Sequence, residues 1–69
     1  MEKTIRVVEK KYIRHLVIFP YGNGHRVVYT KTKNSRKNSS LLAHHDEFYE
    51  SSYQAAKAFI EIKRVISPS

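Results

Sequence analysis

The densest run of potentially reactive side chains is His44-His45-Asp46-Glu47. Histidine and carboxylate are common zinc ligands and common acid–base groups. Their spacing works against both uses. Adjacent strand residues point to opposite faces, so His44 and His45 cannot chelate one ion together. Asp46 and Glu47 are likewise unsuited to paired-carboxylate chemistry. His44 and Asp46 share a face, which gives two ligands at most. A second group, Gly22-Asn23-Gly24, is too short to cradle a phosphate and precedes strand formers rather than a helix. It reads as a hairpin turn. The expectation is a non-enzymatic protein without cofactor or metal.

The third group is basic. Arg26, Lys31, Lys33, Arg36 and Lys37 lie close together, with Tyr29 interleaved and His25 just ahead. On a strand, Val27, Tyr29, Lys31 and Lys33 share one face, while Arg26, Val28, Thr30 and Thr32 share the other. Lysine and arginine neutralise phosphates, and a tyrosine ring can stack on a base. A two-stranded ribbon of this kind fits the DNA major groove. The charge arithmetic supports that chemistry. The formal net charge is +7, from 13 Lys+Arg against 6 Asp+Glu. No acid occurs from Lys10 to His45, and residues 39–69 are close to neutral. A polyanion is the expected partner.

The elements that must position these residues are short. The 69 residues suffice for one domain, and no cysteine is present to staple it. No apolar run approaches the roughly 18 residues of a membrane span, and the N-terminus lacks the apolar core of a signal peptide. The expected location is the cytoplasm, of a bacterial host or a phage-infected cell. Tyr12–Phe19 is rich in β-branched and aromatic residues and is expected to end at Pro20. Asn23-Gly24 is expected to supply the positive φ angles of a tight turn, followed by a return strand over His25–Thr32. Asn34–Ser40 reads as a basic polar loop. A further strand is expected within Leu41–Tyr49. Thr4–Val8 is either a separate first strand or the front half of one bent strand broken at Lys10-Lys11.

Ser51 and Gln54 form a capping box, and Ala55, Phe59, Ile62 and Ile66 make an apolar line at helical spacing. The pattern predicts a helix over about Ser52–Val65. Phe48, Tyr49, Tyr53 and Phe59 around its start read as core or as a hydrophobic staple rather than a binding platform. The fold class is therefore α+β: a three- to four-stranded antiparallel sheet packed on one C-terminal helix. One helix covers one sheet face and leaves the other open.

The segment Phe48-Tyr49-Glu50-Ser51-Ser52-Tyr53-Gln54-Ala55-Ala56-Lys57-Ala58-Phe59 resembles the strand-to-helix junction of plant ethylene-response-factor DNA-binding domains. It is also similar to the arm-binding domains of phage and transposon integrases. The resemblance implies a three-stranded sheet lying in the major groove, with DNA-facing side chains near Arg14, Arg26 and Lys31. It makes Ala55, Ala56 and Phe59 helix-packing residues. Departures are the lack of tryptophan, Asp46-Glu47 where the family has Leu-Gly, and a longer Asn34–Ser40 loop. By architecture the chain is also similar to small phage anti-defence proteins, including anti-CRISPR proteins.

Two functions follow. In the first, Arg14, Arg26, Lys31, Lys33, Arg36 and Lys37 hold nucleic-acid phosphates, DNA in preference to RNA, and Tyr29 and Asn34 touch bases. In the second, the basic face docks on a nucleic-acid-binding protein complex, as an inhibitor of a nucleoprotein effector. A homodimer that hides the open sheet face is a third arrangement.

Overall fold

A computed structural model describes residues 2–37 and 40–66. Four strands are followed by a helix: β1 (Lys3–Val8), β2 (Tyr12–Tyr21), β3 (Gly24–Lys33), β4 (Leu41–Tyr49) and α1 (Ser52–Ile66). The strands pair antiparallel in sequence order. The expected α+β class is the one found. There are four strands where the resemblance implied three, because Lys3–Val8 pairs on β2 as an edge strand of its own. The break falls at Glu9-Lys10-Lys11, and the turn closes by a bond from the Glu9 N–H to the Tyr12 carbonyl at 2.8 Å.

β2 runs past Pro20 to Tyr21, two residues further than expected. Proline ends a strand only where its missing N–H is needed. β1 reaches no further than Lys3 opposite Ile18, so Pro20 lies beyond the β1–β2 ladder. The β2–β3 turn also differs from expectation. Its two central residues are Gly22-Asn23, closed by Tyr21 opposite Gly24. The positive φ belongs to Gly22, at 60°, and no described non-glycine residue has one. A glycine at the first central position is the type II′ pattern. Gly24 is needed for a different reason: a Cβ there would sit 2.4 Å from the Tyr49 carbonyl oxygen.

The register divides the sheet into two faces. Ile5, Leu16 and Tyr29 stand side by side on one face, next to Ile18 and Val27. The helix covers this face. Leu16, Ile18, Val27, Ala55, Phe59 and Ile66 form the buried core, with Ile5, Tyr29, Tyr49 and Ile62 packed on it. Ser51 caps the helix, which is one half of the expected capping box. The Gln54 N–H donates to Ser51 Oγ at 3.4 Å, and the Ala55 N–H donates to the Ser51 carbonyl at 3.1 Å. Two of the four junction aromatics are not core. Tyr53 is 73% exposed because it lies two positions before Ala55, on the outer side of the helix. Phe48 stands opposite Arg26, on the face the helix does not cover.

The result is a slab 39 × 27 × 16 Å, one sheet and one helix thick. None of the described helices is long and apolar enough to cross a membrane.

Candidate nucleic-acid interface

The expected contact residues fall into three environments. Arg26 lies on the open face and is committed within the molecule. Its Nε and Nη2 donate to Asp46 Oδ1 and Oδ2, both at 2.9 Å, and its guanidinium sits 4.7 Å above the Tyr21 ring. A bidentate carboxylate partner and a stacked ring leave little of its charge for an external phosphate. Tyr29 is on the helix-covered face and packs against the core, so its ring is held by Ile66 and its neighbours rather than presented as a platform. Asp46 and Tyr29 thus correct the expectation of an open face covered with cations around a free tyrosine. The register puts Arg14, Lys31 and Lys33 on the opposite face from Arg26.

Those three residues, with the loop, make the third environment. The described helix ends where Ile66 meets Tyr29. Further along the same face come Arg14 beside Lys31, then Tyr12 beside Lys33. Lys31 Nζ lies 4.2 Å from the centre of the Tyr12 ring, which holds the ammonium over an apolar surface without neutralising it. Arg14 Nε is 3.1 Å from Glu9 Oε1, yet it makes no hydrogen bond in that position. The pair is coulombic only. It is a weaker commitment than the two aligned bonds of Arg26.

Asn34 ties the loop to this end of the sheet. Its backbone N–H donates to the Lys11 carbonyl at 2.9 Å, and its Nδ2 donates to the Glu9 carbonyl at 2.8 Å. The Lys33 N–H reaches the Ser40 carbonyl at 3.0 Å. Asn34 therefore acts as a strut between the β1–β2 turn and the β3–β4 loop. Within the loop, the Lys37 N–H donates to Ser35 Oγ at 3.3 Å. A shallow groove results, lined by Lys10, Lys11, Tyr12, Lys33, Asn34 and Leu42. Arg36 and Lys37 lie on the exposed stretch that follows. Among the described residues, Lys10, Lys11, Lys33, Arg36 and Lys37 form no ion pair.

Lys10 and Lys11 are the members that reasoning from strands overlooked. They read as a break between elements, although they begin the acid-free span. The signal was there in the charge run. Its meaning depended on knowing that the β1–β2 turn and the β3–β4 loop emerge at the same end of a four-stranded meander.

The opposite end of the sheet has another character. Glu47 lies toward that end on the helix-covered face and Glu50 follows β4, whereas Asp46 stands mid-strand on the open face, and the Tyr49 hydroxyl donates to Glu47 Oε2 at 3.0 Å. Burial pushes the Tyr49 phenol above its ordinary pKa, and the bond to Glu47 with the Glu47 and Glu61 charges pushes it further. His45 Nε2 lies 3.2 Å from Glu47 Oε2. His44 and His45 face opposite sides of β4, and among the described residues no three potential metal ligands come together.

Comparison with family models, curated proteins and solved structures finds no match to this chain.

Proposed function

We propose that this chain binds the backbone of a nucleic acid through the basic end of its sheet. Lys10, Lys11, Lys31, Lys33, Arg36 and Lys37 are the phosphate-holding groups, and Arg14 can join them by leaving Glu9. The supporting observation is the strut at Asn34, which brings the turn lysines Lys10 and Lys11 and the strand-end Lys33 around one groove. Lysine heads on one end of a slab can follow a line of phosphates, whereas evenly scattered lysines cannot. Asn34 is a positioning residue in this reading rather than a base contact, since its backbone N–H and its Nδ2 already hold the β1–β2 turn.

The test is fluorescence anisotropy with labelled single- and double-stranded DNA over a range of salt. With about four phosphates neutralised, affinity is expected to fall roughly 100-fold between about 50 and 200 mM salt. Absence of binding to either form at low salt, or affinity indifferent to salt, would remove the reading.

A further inference from the structure

The face that the helix leaves bare carries a second, chemically distinct surface. At its hairpin end Phe19, Arg26 and Phe48 stand in a row across three strands, with Tyr21 beside them. The Phe19 and Tyr21 rings meet edge to face at 6.4 Å, as do those of Tyr21 and Phe48. Phe48 is 41% exposed and Tyr21 52%. Val17 and Val28 continue the apolar patch along the two central strands. The next row toward the basic end is Arg6, His15, Thr30 and His44. Asp46 is the only acid that the register places on this face within the strands, and Arg26 neutralises it with two hydrogen bonds.

From the aromatic cluster to a row of Arg, His and Thr, the face thus offers a track with no unpaired strand carboxylate, and the lysine groove lies past its end, on the side of the sheet that carries Tyr12 and Lys33. We infer that this open face binds the unpaired bases of a single-stranded nucleic acid, whose backbone continues onto the basic end. Every base has an apolar face that stacks on an aromatic ring, and the cationic groove around the far end of the sheet holds the phosphates beyond them. Phe19 and Phe48 are the stacking rings, because Arg26 already occupies one side of Tyr21. Charge complementarity selects this occupant over a second copy. Two copies placed face to face would bring together two chains of net charge +7. A single strand brings the opposite charge to the same place. The inference rests on the proposed backbone binding and adds what kind of nucleic acid is held and where.

The deciding experiment compares a labelled oligothymidine of about 15 nucleotides, a length within the usual range of single-strand sites, with a duplex of equal length. The single strand is expected to bind about tenfold more tightly. The Phe19→Ala/Phe48→Ala variant should lose at least about tenfold of single-strand affinity and little of duplex affinity. An amide chemical-shift map of the wild-type protein with oligothymidine makes the result independent of how well the variant folds. The largest shifts should fall at Phe19, Tyr21, Val28 and Phe48. Equal or tighter duplex binding, or shifts confined to residues 10–11 and 31–37, would overturn the stacking site while leaving backbone binding intact. A concentration-dependent dimer in sedimentation, with the same face shifting on dilution, would overturn it in favour of a second copy. Failure of both oligonucleotides to bind would instead remove the backbone reading beneath it.

Discussion

Arg14 and Arg26 lie on adjacent strands but on opposite faces of the sheet, and they differ in what they can still do. The difference is the geometry of one carboxylate. Asp46 stands diagonally across from Arg26 and meets two of its donors, whereas Glu9 reaches Arg14 from a turn and forms no aligned bond. Asp46→Asn should therefore have two measurable effects. Stability should fall by about 0.5–1 kcal/mol in urea titration, the range for a partly exposed pair. Affinity for DNA should rise, with a slightly steeper salt dependence, because a guanidinium is released. Unchanged DNA affinity would mean Arg26 is too far from the bound backbone to matter. Tyr49 supplies a pH test. Its folded pKa is raised, so its stabilising contribution is complete below the ordinary tyrosine value near 10 and is lost as pH climbs through the higher folded value. The advantage of the wild type over Tyr49→Phe in thermal midpoint should accordingly shrink as alkali is added. Of these residue-level facts the sequence disclosed the charge run alone. Pairing of Arg26 with Asp46 depends on the β3–β4 register, which no local pattern announces.

Among the elements, the helix was the most legible. Ser51, Gln54 and the Ala55–Phe59–Ile62–Ile66 line specify its start and its buried face through short-range geometry, and both appear as read. Ser51→Ala should cost about 1 kcal/mol by loss of the cap, measurable in urea. Turn chemistry was less legible, since Gly22-Asn23-Gly24 contains two overlapping two-residue turns. The choice between them is made by Gly24, whose buried backbone touches β4. Hence Gly24→Ala should be the more damaging glycine substitution, with a cost of at least about 1–3 kcal/mol from overpacking against the Tyr49 carbonyl. Gly22→Ala should cost about 1 kcal/mol, because the side chain meets open space and only the positive φ is strained. A reversed order would place the controlling constraint in the turn instead of the sheet. Phe48 and Tyr53 were misread for a related reason: aromatic character suggests burial, while strand parity and helix phase decide it.

At the scale of the whole molecule, the sheet gathers bases at one end. A meander of four strands returns the Lys10-Lys11 turn and the Asn34–Lys37 loop to that end, while Asp46 stays mid-strand opposite Val28. The sequence showed a basic half and a near-neutral half, and the bases were expected over the open face. Antiparallel pairing instead brings several of them, in the turn and the loop, to one end. The open face then differs from the expected phosphate-binding surface: it is aromatic at one end and lightly cationic in the middle. A net charge of +7 alone would attract DNA weakly and without regard to position, so location is the claim that matters. The most direct test compares two charge-matched triple variants, Lys10→Gln/Lys11→Gln/Lys33→Gln at the basic end and Lys3→Gln/Lys57→Gln/Lys63→Gln elsewhere, by salt-dependent DNA binding. The account expects the first to weaken binding at least about tenfold and to flatten the salt dependence by the equivalent of about two to three phosphate contacts, with the second close to wild type. Equal loss in both variants would show that only total charge attracts the nucleic acid, and would contradict a site at the end of the sheet.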